Sequence, residues 1–324
     1  MKAVRVHVTG GPEKLLLEQV ERPKPSGSEV LVRIQAAGVN FIDTYQRSGL
    51  YPIKPPFTPG MEGAGVVEET GPDARMFAKG DRVAYAMSPG SYAEYAVVSE
   101  RNLVKVPKAL DSRSAAAAML QGMTAHYLCH STFPIEPGHK ALIHAGAGGV
   151  GLLLIQMTKR LGGMVIATVG TPAKAELARN AGADETVLYT EVDFKEEARR
   201  LTGGEGVDVV YDSVGKTTAE KSLLCLKRRG WLVLFGNASG PAPAIDPLAL
   251  ARNGSLVMTR PMLGDYIASR EELNWRAGDV LRWIENGLLK LRMEHVFPLS
   301  AAAEAHRQLE GRKTTGKVLL TPDQ

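Results

Sequence analysis

Residues Gly146-Ala147-Gly148-Gly149-Val150-Gly151 spell G-x-G-x-x-G, a spacing with a definite physical use. The run directly follows the apolar stretch Ala141 to Ala145, which has strand character, and it opens a helix-like stretch from Val150 to Leu161. In that strand-turn-helix setting Gly146 permits a tight turn, Gly148 lets backbone approach a pyrophosphate, and Gly151 lets helix and strand pack closely. Val150 opens the helix, just after Gly149, and its unpaired amides and positive dipole end face the phosphates. A dinucleotide site follows from these residues. Its preference is written about 20 residues further on, where an NAD site carries an acid for the ribose 2′-hydroxyl. Here that place is Gly170, which leaves room for a 2′-phosphate. Thr171 can cap the next helix, with Pro172 at its first position, and Lys174 then projects from the first turn toward the same space. NADPH is the expected cofactor.

Those residues need a parallel sheet to hold them. Continuous apolar segments at Ala141 to His144, Val165 to Val169, Glu185 to Tyr189, Val207 to Tyr211, Trp231 to Phe235 and Leu256 to Thr259 alternate with helical stretches, as in a doubly wound α/β sheet covered on both faces. The first 120 residues have a different texture. Short strands are predicted at Lys2 to Val8, Leu15 to Val20, Val30 to Ala36, Ala64 to Glu69, Arg82 to Ala86, Tyr92 to Val98 and Leu103 to Val106, punctuated by Gly and Pro. Between them the proline- and aromatic-rich loop Tyr51 to Gly60 suits the wall of a binding site. After Arg260 come helices at Glu271 to Asn286 and Ala301 to Glu310 and a last strand at Gly316 to Leu320. The six sheet strands are complete by then, so this tail returns to the first domain. The expected division is 1–120 with 261–324, and 121–260.

Composition narrows the class. With 324 residues, 44% hydrophobic and 23% charged, the chain is long enough for two cores and typical of a folded globular protein. No apolar run approaches a membrane span, and the start MKAVRVHVTGG alternates like a strand instead of a signal peptide, so a cytoplasmic protein is expected. The formal charge of +4 is spread out, with no basic block to bind nucleic acid. Only Cys129 and Cys225 are present, which excludes a cysteine-rich zinc cluster.

The segments AAGVNFIDTYQRSGLYP, PGMEGAGVV, QGMTAHYL, HAGAGGVGLLLIQMTKRLG, TVGTPAK, VVYDSVG, FGNASG and TTGKVLL together resemble the quinone oxidoreductase, or zeta-crystallin-like, branch of the medium-chain dehydrogenase/reductase superfamily. The resemblance covers essentially the whole length. It implies a GroES-like β domain formed by both chain ends, a Rossmann domain between them, an active site in the interdomain cleft and a homodimer. Position by position, it implies that Asn40, Tyr45 and Tyr51 line the cleft beside the nicotinamide and that Arg260 faces the substrate cavity. Thr124 would reach the cofactor near the same ring. Gly170, Lys174 and Tyr189 would surround the 2′-phosphate, and Phe235, Gly236, Asn237 and Ser239 would run along the nicotinamide half. By type alone the tyrosines are half-buried packing residues, and Asn40 could simply cap a helix from Phe41 to Arg47.

The zinc-dependent relatives place a cysteine where this chain has Asn40 and a histidine where it has Met61, and neither side chain here is a good zinc ligand. Glu62 and Asp43 survive from that pattern and are expected to be structural, and the histidines show no ligand spacing. Without a Lewis acid the acceptor must already be electrophilic, as quinones and enones are. Asn40, Tyr45, Tyr51 and Arg260 are the available donors to a developing oxyanion, and Tyr45 and Tyr51 could sandwich a flat quinone. An enone or alkenal double-bond reductase shares every motif. A protein that binds NADPH without turnover is the reading from another class.

Overall fold

The computed structural model describes residues 1–323. They form two compact units: 1–123 with 266–323, and Thr124–Asp265.

The first unit is built on a sheet of seven strands. Its path runs His295–Pro298, Val318–Thr321, Glu29–Val39, Glu62–Thr70, Arg82–Ala86, Leu103–Lys105, with Tyr95–Ser99 also paired to Glu29–Val39. All pairings are antiparallel except the first, where His295–Pro298 lies parallel to the last strand. Val30, Val32, Ile34, Val67, Val83, Leu103, Val318 and Leu320 supply its core, and Leu299, Ala302 and Ala305 of the C-terminal segment pack into the same cluster. A separate hairpin pairs Lys2–Arg5 with Leu16–Gln19. The helix Phe41–Ser48 follows the longest strand directly; Asn40 is its extended N-cap, and Gly49, at φ 86°, turns the chain out of it.

The second unit is a parallel six-stranded sheet. Its order is Glu185–Leu188, Met164–Val169, Lys140–Ile143, Val207–Asp212, Leu226–Leu234, Val257–Thr259. Counted along the chain this is 3-2-1-4-5-6, so the winding reverses at Lys140–Ile143 and opens a crevice at the carboxyl ends of the strands, where doubly wound sheets bind ligands. Helices Gly149–Arg160, Pro172–Asn180, Phe194–Leu201, Ala219–Cys225 and Pro247–Arg252 make the connections. Lys159 and Arg160 close the first of these, with Gly162 at φ 83° beyond it. No helix among the described residues is long and apolar enough to cross a membrane.

Three expectations need correction. The strand predicted from Tyr92 begins only at Tyr95; Tyr92 is instead fully buried, with its hydroxyl bonded to Asp43. The fifth parallel strand starts at Leu226, before the expected Trp231, because Lys227 to Gly230 form an irregularity with Arg229 at φ 60°, and such a polar break does not read as strand. The strand His295–Pro298 was not expected at all. It is four residues long, ends in proline and lies at the sheet edge, where a missing N–H is tolerated.

Candidate active site

In the parallel-sheet unit, the residues expected to bind cofactor gather at the carboxyl edge of the strands. A Cβ on Gly151 would meet the Ala145 carbonyl oxygen at 2.3 Å, and one on Gly146 would meet the Ala167 methyl at 2.8 Å. Both glycines are therefore demanded by packing. Gly148 differs: its nearest neighbour would be the Ala145 oxygen at 3.2 Å, tight but not blocked, so this glycine answers more to what the loop faces than to what it packs on. Gly149 and Val150 form the first turn of the helix behind the loop. Ala145 takes φ 52° to make the turn.

Gly170 directly follows the second strand. A Cβ there would lie 2.7 Å from the Tyr189 hydroxyl, so the tyrosine at the end of the third strand covers the place an acid would occupy. Tyr189 is 41% exposed, more open than the packing role its type suggested. Thr171 caps the next helix through its hydroxyl, which accepts from the Lys174 N–H at 3.3 Å, with Pro172 at the first position. Lys174 thus starts from the first turn beside Gly170.

Phe235, Gly236, Asn237 and Ser239 follow the fifth strand. Their loop is stitched to the one after the fourth: the Phe235, Ala238 and Ser239 amides donate to the carbonyls of Asp212, Ser213 and Val214 at 2.8, 3.1 and 2.8 Å. A Cβ on Gly236 would strike the Ser213 oxygen at 2.4 Å. Arg260, after the sixth strand, donates to the Leu234 carbonyl at 3.1 Å and, with the Asn237 amide oxygen turned toward it, to Asn237 at 3.2 Å. The guanidinium braces this loop, which sets Arg260 apart from the three tyrosine and asparagine positions with which the resemblance grouped it.

A buried network beneath this edge escaped the sequence. His144, ending the first strand, bonds through Nδ1 to the Thr168 hydroxyl at 2.8 Å and through Nε2 to Ser222 at 3.0 Å; Ser222 donates to Asp212 at 3.0 Å. The other Asp212 oxygen accepts the amides of Val214 and Gly215 and the Thr218 hydroxyl. Burial holds His144 below its usual pKa against the pull of Asp212. The network joins the first, second and fourth strands just where the winding reverses. Only its position at strand ends could have marked it.

In the β unit, Asn40, Tyr45 and Tyr51 come together around the helix Phe41–Ser48. The Tyr51 amide donates to the Tyr45 carbonyl at 3.0 Å, and the two rings meet edge to face, centroids 5.2 Å apart at 63°. A ring held between two others needs about twice the stacking distance, so this geometry rules out the expected sandwich; a flat acceptor would have to lie against the pair instead. Thr124, the first residue of the parallel-sheet unit, sits on the helix Ser112–Tyr127 and is buried.

Asn40 is 4% exposed, and its amide is committed. Nδ2 donates to Glu62 at 2.9 Å and to the Gly38 carbonyl at 3.4 Å, while Oδ1 accepts from the Lys317 ammonium at 2.8 Å. This departs from the expectation that the amide is offered to an oxyanion. Lys317 also forms an ion pair with Glu62, the two side chains 2% and 0% exposed, and Glu62 further accepts the Leu120 N–H. Lys317 was missing from the sequence-based set because a lysine before a final strand looks like any solvated cation.

Asp43 completes the cluster. It accepts from the Asn40 and Met61 amides and the Tyr92 hydroxyl at 2.8, 3.1 and 3.0 Å. Burial pushes its carboxyl up to about 7, although the Asn40 N–H, the Tyr92 hydroxyl and Lys317 all pull it down. Behind it the chain continues through Tyr92 to His306 and Arg47, and Arg47 pairs with Glu310 at 2.7 Å. Because Arg47 can only donate, His306 Nδ1 accepts and Nε2 carries the proton toward Tyr92. Burial, with Arg47 beside it, pulls His306 down to about 3.

Comparison with known proteins now bears on both units. Residues 26–108 match the alcohol dehydrogenase GroES-like domain, and residues 149–275 match the zinc-binding dehydrogenase family. The quinone oxidoreductase of Pseudomonas aeruginosa is 45% identical over 323 residues, covering 99% of each chain. The chain belongs to the quinone oxidoreductase family, within the medium-chain dehydrogenase/reductase superfamily. Another member of these relatives, a 2-haloacrylate reductase of a Burkholderia species, is 42% identical, covering 99% of this chain and 98% of its own. The crystal structure of the Escherichia coli quinone oxidoreductase complexed with NADPH superposes with a TM-score of 0.97 at 41% identity, covering 99% and 100% of the two chains. The GroES-like and Rossmann architecture expected for the quinone oxidoreductases is thus the one found.

Zinc, which the name of one matched family implies, does not suit the residues present. Position 40 is a carboxamide and position 61 a thioether, and a lysine ammonium is bonded to both Asn40 and Glu62. Among the described residues no group of three or more His, Cys, Asp or Glu is placed to hold a metal ion.

Proposed function

We propose that this chain is a metal-independent NADPH:quinone oxidoreductase. The observation that carries the reading is the cradle itself: a glycine loop whose close packing admits no side chain at Gly146 or Gly151, followed at the next strand end by Gly170 and Tyr189 in place of a ribose-binding acid. Gly146, Gly148, Gly149, Val150 and Gly151 would hold the pyrophosphate. Gly170, Lys174 and Tyr189 would surround the 2′-phosphate, and Thr124 with Phe235, Gly236, Asn237 and Ser239 would hold the nicotinamide half. When bound, NADPH supplies a hydride. The relative crystallised with NADPH supports this choice.

The chain's remaining work is placement. Tyr45 and Tyr51 offer an aromatic surface against which a flat acceptor can lie. Asn40 acts by shaping that surface, since its amide is engaged with Glu62 and Lys317. Arg260 holds the loop of Asn237 and Ser239 in register. A quinone that accepts hydride becomes a hydroquinone anion and takes its proton from solvent, so no general acid is required of the protein. The soluble chain would act in the cytoplasm, and as a homodimer; the outer strand Val257–Thr259, with Val257 and Met258 exposed at the sheet edge, offers an unpaired edge for a second copy.

The similarity to a 2-haloacrylate reductase favours a second acceptor class, activated carbon–carbon double bonds. Steady-state NADPH oxidation measured across quinones, alkenals and haloacrylates separates the two. The proposal expects one NADPH consumed per quinone, with quinones the best acceptors. Preference for an alkene acceptor would replace it with the second reading, and NADPH binding without turnover of any acceptor would leave a binding protein.

A further inference from the structure

The buried network of the parallel-sheet unit runs in one direction. Asp212, fully buried, can only accept, and its Oδ2 takes the Ser222 proton at 3.0 Å. Ser222 has no second proton, so its oxygen accepts from His144 Nε2–H at 3.0 Å, and Nδ1 in turn accepts from the Thr168 hydroxyl at 2.8 Å. The carbonyl of the same Thr168 accepts the Gly146 amide at 3.0 Å, which carries the chain of bonds into the glycine loop. At the other end Asp212 Oδ1 gathers the Val214 and Gly215 amides and the Thr218 hydroxyl at 2.8, 3.0 and 2.9 Å. All four donors to this carboxylate lie within residues 214–222, the turn and helix that follow it.

That turn is the template for another. The Lys216 amide donates to the Gly240 carbonyl at 3.0 Å and the Thr217 amide to the Ser239 hydroxyl at 3.1 Å, beside the bonds that run from Phe235, Ala238 and Ser239 back to 212–214. The fit is also steric, because a Cβ on Gly215, at φ 87°, would lie 2.6 Å from the Gly240 oxygen. Building on the NADPH reading above, we propose that Asp212 is the positioning residue for the nicotinamide half of the site. Its carboxylate fixes the turn 213–218, the turn fixes the loop 235–240, and the Ser222–His144–Thr168 relay keeps the carboxylate in register with the glycine loop. The grip is firm because losing the carboxylate would leave buried donors unpaired. The residues assigned to the 2′-phosphate stand at the ends of the second and third strands, across the winding reversal from the fourth and fifth. The two halves of the cofactor should therefore respond separately.

The test is binding, read for each half in turn. Full-length wild type, Asp212→Ala, Asp212→Asn and Gly215→Ala are titrated by calorimetry with NADPH and with adenosine 2′,5′-bisphosphate, which lacks the nicotinamide half. Asp212→Ala should weaken NADPH at least about tenfold, as misplaced contacts do, and leave the bisphosphate within about twofold of wild type. Asp212→Asn should keep NADPH within about threefold, since its amide oxygen still accepts from Val214, Gly215 and Thr218. Gly215→Ala leaves the carboxylate intact and forces the two loops apart, so it should give the same split as Asp212→Ala, and it carries the test should that variant fail to fold. Equal weakening of both ligands, wild-type NADPH binding by either alanine variant, or an asparagine variant no better than alanine overturns the proposal. The relay has its own signature in nitrogen NMR of the imidazole. The His144 proton should sit on Nε2 in wild type and on Nδ1 in Asp212→Asn, where the new amide donates to Ser222 and the Ser222 proton turns to Nε2. A wild-type proton on Nδ1 would contradict the relay. No acceptor enters these measurements, so their failure is distinct from failure of the quinone reading.

Discussion

The glycine loop and the Lys317 cluster perform comparable tasks by opposite means. The loop at Gly146–Gly151 is contiguous in sequence and works through backbone, so what matters is the absence of side chains. The cluster draws Asn40, Asp43, Glu62, Tyr92, His306 and Lys317 from five segments of the chain and works mainly through side-chain charge and hydrogen bonds. A backbone site fails by steric intrusion at one residue, whereas a buried charge cluster fails when one partner is removed and another is left uncompensated.

That contrast predicts its own largest effect. Lys317→Ala should cost about 3 to 5 kcal/mol of stability by stranding the Glu62 carboxylate, while Lys317→Met/Glu62→Gln, which removes both charges, should recover most of it. Urea unfolding of the two proteins checks this, and equal losses would mean that the ion pair is not the source.

In the loop the comparison sharpens between two glycines. Gly151→Ala drives a methyl into the Ala145 carbonyl and should cost about 1 to 3 kcal/mol of stability together with NADPH affinity. Gly148→Ala should cost less stability than Gly151→Ala and still weaken NADPH, if that glycine faces the pyrophosphate as proposed. Thermal melts beside NADPH fluorescence titrations separate the two; matching melting temperatures would erase the distinction.

Gly170→Asp should shift preference from NADPH toward NADH, once the exposed Tyr189 ring swings aside. Lys174→Ala should weaken NADPH alone, by about 1.5 kcal/mol, the lower end for a hydrogen bond to a charged group. Affinities for the two cofactors measured in parallel decide it: equal weakening of both would place Lys174 away from the 2′-phosphate.

A further effect concerns pH. His306 has a folded pKa of about 3, below its ordinary 6.5, so between these values the unfolded chain binds the extra proton. The stability this contributes is complete above about pH 6.5 and is lost as pH falls toward 3. Asp43 acts in the opposite sense, because its folded carboxyl holds a proton up to about 7 and so disfavours folding as pH rises toward that value. Replacing His306 with Gln should remove the first contribution and flatten the acid limb of the stability curve. An unchanged slope in urea melts across that range would show that His306 is not the group titrating.

The same contrast explains what could be seen in the sequence. The inner parallel strands were legible because buried parallel strands are continuous apolar runs, and the glycine loop was legible because such turns at strand ends use glycine in a fixed order. Thr171 and Pro172 announced their helix by type. The Lys317–Glu62 pair was not legible, since its members lie 255 positions apart and neither carries a local signal. The edge-to-face contact of Tyr45 and Tyr51 was hidden for a related reason: spacing brings two rings to one helix end but does not set their angle.

Metal-independent reduction of a quinone by NADPH is the central claim, and kinetics on chelator-treated protein test it most directly. After exhaustive dialysis against a strong chelator, with residual metal determined by elemental analysis, the account predicts unchanged NADPH-driven quinone turnover and an unchanged melting temperature. Loss of turnover that zinc restores would contradict it.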